Sequence, residues 1–303
     1  MAADVASPSG ILLVDKPQGI TSHDVVSRAR RALATRKIGH AGTLDPMATG
    51  LLVLGVGSAT RLLTYLVGLD KTYEATIRLG ESTDSDDADG VRTAVADSAA
   101  IAAVTDAAVQ AGIARLTGEI DQVPSTVSAI KVAGRRAYDL ARAGEEVVLA
   151  SRRVTISRFE VIALRRTEGV IDLDVVVDCS SGTYIRALAR DLGAALAVGG
   201  HLTALRRTRI GSFDVADAAS ADDIAPARLV PAADVAAAVL GALPVTADEA
   251  RDLRHGKRLE GAADRLGGAV RAAIAPDGVL VGIVERRGAD IKSAMNMPEE
   301  ASA

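Results

Sequence analysis

The chain has 303 residues, 49% of them apolar, one cysteine and a formal net charge of −4. A lone cysteine excludes an internal disulfide, and no run approaches the roughly 18 apolar residues of a membrane-spanning helix. With no tryptophan and 2% aromatics, the interior has to be built from Ala, Val, Leu and Ile. A chain of this length suits one large domain plus a small one. Residues 1–9 are small and polar, carry no basic-then-apolar leader pattern, and read as disordered. A soluble, cytoplasmic protein is expected.

The net charge argues against a nucleic-acid partner, but its distribution does not. Between Ser22 and Gly39 lie Arg28, Arg30, Arg31, Arg36 and Lys37 against Asp24 alone, and Arg206, Arg207 and Arg209 form a second cluster. Acid concentrates at 84–89 and 214–234. Phosphate responds to the field within a Debye length of roughly 8–10 Å, so local clusters outweigh the sum. Such clusters also arise as ordinary solvated faces.

In chain order, residues 10–14 form a short apolar strand ended by the turn Asp15-Lys16-Pro17-Gln18-Gly19. Thr21 and Asp24 make a capping box for a helix to about Ala34, with Val25, Val26, Ala29 and Leu33 inward and Arg28 and Arg31 on another face. The stretch 39–50 then sets one histidine, His40, and one carboxylate, Asp45, among glycines, threonines and Pro46. Pro46 pushes Asp45 out of helical geometry, so the segment is a rigid loop running into the apolar strand 51–56. Asp45 is either a mounted catalytic acid or the head of an Asx turn.

Residues 72–79 alternate, with Tyr73, Ala75, Ile77 and Leu79 on one face. The stretch 83–90 tempts a calcium-loop reading. Aligning Gly90 to the sixth loop position puts Ala96 at the twelfth, where a bidentate Glu is required, so it is an acidic turn. Residues 97–117 have helical spacing and end at Gly118. Residues 122–131 are extended and polar, followed by a short helix over 137–143. Strands are expected at 152–164 and 170–178. A helix over about 183–196 follows, with Arg186 in its first turn, where the helix's positive end favours nearby anions. The alanine-rich, acidic sequence to 243 reads as packing helices and a linker. From Pro244 short segments alternate with turns, with strands at 269–275 and 279–285, and 294–303 reads as frayed. The four histidines and Cys179 share no metal-ligand spacing.

Five blocks carry a resemblance. They are Leu13-Val14-Asp15-Lys16-Pro17, the loop from Gly39 to Pro46 with Ala48-Thr49-Gly50, Asp70-Lys71-Thr72-Tyr73, the stretch 124–131, and Ser180-Ser181-Gly182-Thr183-Tyr184-Ile185-Arg186. In this order they resemble the bacterial tRNA pseudouridine synthases of the TruB class, which modify uridine 55 in the T-arm. The resemblance implies an α+β fold: a large twisted mixed, mainly antiparallel sheet with flanking helices, plus a small C-terminal PUA-like β-barrel. It places the catalytic domain at 10–243, with an RNA-gripping insertion at about 90–150, and the β module at 244–293.

It implies Asp45 as nucleophile, Arg186 as its ion-pair partner, and Tyr73 stacking on the uracil with a role in proton transfer left open. His40 would fill the gap left by a flipped nucleotide. Lys16 would contact phosphate or brace the loop, Tyr184 would wall the pocket, and Leu205 would pack on the base. Arg28, Arg31, Lys131, Arg206 and Arg207 would meet RNA. The chemistry implied needs no cofactor or metal, and tRNA is the only partner expected, with a monomer acting alone. An aromatic residue is expected near Val127, where this chain departs. The rival readings are a guide-RNA-dependent pseudouridylation subunit, whose relatives lack much of the insertion, a tRNA chaperone that grips the T-arm without chemistry, and a two-carboxylate glycosidase, for which no second acid is evident near Asp45.

Overall fold

The computed structural model describes residues 8–126, 131–132, 135–136 and 149–298. The expected helix at 137–143, the position near Val127 and the chain's last five residues lie outside them. Two compact units emerge: Met1–Pro46, Gly50–Gly68 and Gly211–Ala303 form one, and Met47–Thr49 with Leu69–Ile210 the other.

The first unit begins with β1 (Gly10–Lys16), α1 (Ser22–Ala32), β2 (Ile38–His40), β3 (Thr49–Val56) and α2 (Leu63–Val67). β1 and β3 pair antiparallel from Gly10↔Val56 to Lys16↔Gly50, and β2 also pairs with β3. Both long strands are apolar without alternation because both faces are covered. Val25, Val26, Ala29 and Leu33 of the α1 segment pack on Leu12, Val14, Leu52, Leu54 and Val56. The capping box is formed: the Thr21 N–H donates to Asp24 Oδ2 (2.8 Å) and the Asp24 N–H to Thr21 Oγ1 (3.1 Å).

The second unit holds β4 (Lys71–Leu79), β5 (Glu81–Thr83), β6 (Arg92–Val95), α3 (Ser98–Ala103), α4 (Asp106–Arg115) and β7 (Gly118–Gln122). The short hairpin β8 (Lys131–Val132) and β9 (Arg135–Arg136) follows, then β10 (Arg152–Thr167), β11 (Val170–Cys179), α5 (Ile185–Ala195) and β12 (Gly200–Ile210). Its sheet runs β12-β4-β11-β10-β7, antiparallel throughout. Where one helix was expected over 97–117 there are two, because Val104 turns extended and the Thr105 hydroxyl caps the second. α5 approaches the turn before β12 closely enough that a Cβ on Gly193 would lie 2.2 Å from the Gly199 carbonyl carbon. Only glycine fits there.

The remainder of the first unit comprises β13 (Phe213–Asp214), β14 (Ala219–Ser220), α6 (Ala232–Leu240), β15 (Ala242–Pro244), α7 (Ala247–Arg254), β16 (Val270–Ile274), β17 (Leu280–Arg287) and β18 (Asp290–Asn296). β14 runs parallel to β1, which makes that sheet mixed, and β15-β16-β17-β18 form a separate four-stranded sheet. The acidic alanine-rich stretch yields one helix of nine residues rather than a set of packing helices. α7 was not anticipated, although Thr246 and Glu249 form a capping box at its start. Residues 294–296 continue β18 instead of fraying, and the Asn296 amide donates to the Leu253 carbonyl (3.1 Å). The class is α+β, as expected. Among the described residues no helix is long and apolar enough to cross a membrane.

Candidate active site

The loop carrying Asp45 is fixed on both sides of that residue. Ser22 Oγ accepts from the Leu44 N–H (2.8 Å) and donates to the Leu44 carbonyl (3.1 Å). The Pro46 carbonyl accepts from the Gly19 N–H (2.8 Å) and from Lys16 Nζ (3.4 Å). Gly42 turns the chain at φ +99°. Asp45, half-buried, therefore sits between two anchored neighbours. Lys16 is fully buried and also donates to the carbonyls of Pro17 (3.0 Å) and Ile20 (2.8 Å). It braces the loop, and the expectation of a phosphate contact gives way because its ammonium is turned inward onto backbone carbonyls. Ser22 was not singled out; its sequence signal is only a serine inside the capping box.

His40 is half-buried, and its ring meets His23 edge-on at 6.2 Å between centroids. Arg31 is exposed, whereas Arg28 pairs with Asp222 at 2.6 Å, from the acidic 214–234 stretch. A surface pair of this kind contributes little to stability.

In the second unit Arg186, the second residue of α5, is 4% exposed. Its guanidinium donates to the Ser85 carbonyl (2.8 Å) and lies 3.1 Å from Asp87 Oδ2. Asp87 is itself 4% exposed and accepts from the Ser85 hydroxyl (2.5 Å) and the Asp89 N–H (3.1 Å). The acidic turn of 83–90 thus folds inward to supply a counter-charge. No sequence signal marked Asp87 out from Asp84, Asp86 or Asp89.

Tyr73, 7% exposed, faces inward on β4, opposite Val177 on β11 and Arg207 on β12. Leu205 lies on the same inward face, opposite Ala75. Strand alternation also carries Arg207 inside, at 1% exposure, so it leaves the RNA-facing surface where it was expected. Arg206 points the other way, and its guanidinium is 3.5 Å from Thr49 Oγ1, which donates to the Leu205 carbonyl at 3.5 Å. Lys131 lies in β8.

Tyr184 precedes α5, with its N–H donating to Gln122 Oε1 (2.8 Å) and its carbonyl accepting from Gln122 Nε2 (3.1 Å). The Arg152 guanidinium stands 5.7 Å from its ring centre. Gln122, 1% exposed, is a second positioning group that sequence did not reveal. Burial lowers the Lys71 ammonium to about 8 and raises the Cys179 thiol to about 11, two groups facing each other across β4 and β11.

Solved structures share this fold. A Cbf5-Nop10-Gar1 complex aligns with a TM-score of 0.67 at 23% identity, covering 93% of this chain and 79% of that one. An H/ACA RNP bound to a substrate RNA containing 2′-deoxyuridine gives 0.68 at 21%, covering 96% and 86%. At those identities the likeness speaks for the architecture alone. Sequence relatives are nearer. The tRNA pseudouridine synthase B of Leifsonia xyli is 57% identical over 97% of this chain and 98% of its own. That of Cutibacterium acnes is 58% identical over 83% and 85%. Residues 30–185 match the model for the N-terminal domain of TruB family pseudouridylate synthases. Residues 186–243 match the tRNA pseudouridylate synthase B C-terminal domain, and 240–298 match the C-terminal model of tRNA pseudouridine synthase II. The chain belongs to the TruB family of pseudouridylate synthases.

Proposed function

We propose that the chain isomerises uridine to pseudouridine in tRNA, at position 55 of the T-arm. The reaction breaks the N1–C1′ bond, rotates the uracil and joins C5 to C1′; C5 then gives up its proton and N1 takes one up, so the product is an isomer. In this reading Asp45 is the nucleophile, attacking C1′ or C6. A carboxylate of ordinary pKa near 3.9 is ionised at neutral pH, and a guanidinium about 4–6 Å away keeps it so when solvent leaves. Arg186 is that guanidinium. Tyr73 stacks on the uracil, Leu205 packs beside it and Tyr184 walls the pocket. The target uridine is flipped from the folded T-arm at a cost of a few kcal/mol, and His40 fills its place. Arg28, Arg31, Lys131 and Arg206 hold the phosphate backbone, so recognition rests on RNA shape. The protein acts as a monomer, with neither guide RNA nor protein partner.

The observation that carries this reading is Arg186: a buried cation held by a carboxylate and a carbonyl from one turn, in a family of pseudouridylate synthases. Two fixed anchors orient the guanidinium, whose planar fork suits charge-assisted hydrogen bonds to anions. The test is tritium release from tRNA carrying 5-tritiated uridine, with the purified protein alone. Wild type should release tritium, Asp45→Asn should release none while binding tRNA about as tightly, and tRNA with cytidine at position 55 should be inert. Full activity in Asp45→Asn, or dependence on an added guide RNA, would overturn the reading.

A further inference from the structure

We infer that Arg190 is a positioning residue for Arg186, acting through Asp86 and the backbone of Val123. The inference rests on the role given to Arg186 above. Arg186 and Arg190 are four residues apart on α5 and share one helix face. Facing them, the turn of 83–90 offers two adjacent aspartates: Asp87 lies 3.1 Å from Arg186, and Asp86 3.3 Å from Arg190.

Neighbouring side chains reach guanidinium groups one helical turn apart only if the backbone between them bends sharply. Asp86 sits at φ +59°, a left-handed conformation that non-glycine residues adopt uncommonly. Its backbone is pinned from behind, the Asp86 carbonyl accepting from the Leu202 N–H (3.0 Å) and the Asp86 N–H donating to the Thr83 carbonyl (3.4 Å). The carbonyl that anchors Arg186 belongs to Ser85, one residue earlier, and the carboxylate to Asp87, one residue later. The Arg190–Asp86 pair therefore sits at the apex of the bend that gives Arg186 both its anchors.

Arg190 reaches a third segment as well. Its Nη2 donates to the Val123 carbonyl (2.7 Å) and its Nε to Asp191 Oδ1 (2.9 Å). Val123 follows Gln122, whose amide holds both backbone groups of Tyr184 at the start of the same helix. One guanidinium thus ties together the turn of 83–90, the segment 122–125 and α5.

Burial pushes the Asp86 carboxyl upward; Arg190 and Arg186 pull it down, and Asp191 adds a smaller push upward. Without Arg190 one of the downward pulls is gone. An Asp86 that takes up a proton loses its hold on the bend.

The experiment compares wild type, Arg190→Gln, Asp86→Asn and the double variant in single-turnover tritium release across pH, with tRNA affinity measured by filter binding. Arg190→Gln should slow the single-turnover step roughly tenfold to a hundredfold, the scale of a small misplacement of a reacting group. Its tRNA affinity should change by less than about threefold, which separates positioning from binding. The acid limb of its rate profile should move to higher pH, and adding Asp86→Asn should remove that movement. A wild-type rate in Arg190→Gln, a loss that follows affinity alone, or an unmoved acid limb would overturn the inference. Should Arg190→Gln fail to fold, Arg190→Lys keeps the charge without the fork: a slower rate with the limb in place supports the inference, and a wild-type rate overturns it. Arg186→Gln is measured in parallel. If it is active, the underlying reading fails; if it is dead beside a fully active Arg190→Gln, only this inference does.

Discussion

The second unit contains two populations of arginine–aspartate pairs, chemically alike and physically different. On the polar face of the sheet, Arg78 grips Asp172 with two bonds of 2.8 Å, Arg165 pairs with Asp174, and Arg209 with Asp178. Arg165 and Asp174 keep side-chain exposures of 49% and 37%. On the other side of the unit's chemistry, Arg186 and Asp87 keep 5% each. A solvated pair exchanges freely with water and salt and contributes little. A buried one has lost its water, so neither partner tolerates the absence of the other. The difference is that burial makes the contact obligatory for both partners, whereas exposure leaves it optional.

The strongest way to break this contrast is Asp87→Ala. It strands a buried guanidinium, should cost about 3–5 kcal/mol of stability, and should abolish tritium release. Denaturant unfolding alongside the activity assay reads both; a variant with wild-type stability and activity would remove the distinction between the two populations. Next is Lys16→Met, which takes the ammonium away from the Pro17 and Ile20 carbonyls and leaves the Pro46 carbonyl with the Gly19 N–H. A loss of about 1–3 kcal/mol is expected, with the single-turnover rate falling more than tRNA affinity. Arg165→Ala, on the solvated face, should cost only about 0.2–1 kcal/mol and leave activity intact. A larger loss there would mean the outer pairs form a cooperative network.

The smallest effect concerns Lys71. Its folded pKa, about 8, lies below its ordinary value, so the fold disfavours the charged form. The unfolded chain then binds more protons above pH 8, and stability rises with pH in that window. Wild type should gain stability relative to Lys71→Met as pH climbs from about 8 towards 10, read as the difference in denaturation midpoints. Parallel curves would show that the ammonium is not desolvated.

Local rules were legible where their causes are local. The capping box of Thr21 and Asp24, the alternation through Tyr73 and Leu79, the apolar β3 and the helix bearing Arg186 all follow from periodicity and capping within a dozen residues. The same alternation rule, applied to β12, would have separated inward Arg207 from outward Arg206; grouping them by charge concealed it. α7 was missed because its capping box stands in sequence dominated by turn signals. The split between α3 and α4 was missed because nothing in an alanine-rich run forbids a continuous helix. The acidic turn lacks the twelfth-position acid of a calcium loop, yet composition could not tell a solvated turn from one folded inward.

By itself the sequence determined which chemistry-bearing residues exist and in what order: a carboxylate on a stiff loop, a tyrosine at a strand's start, an arginine in a helix's first turn. Only the tertiary structure decided which acid of four in the turn faces Arg186, that Lys16 serves carbonyls and not phosphate, and that Gln122 holds Tyr184. Periodicity is written within a dozen residues, whereas an ion pair across some hundred positions depends on sheet register and on how much water each partner has lost.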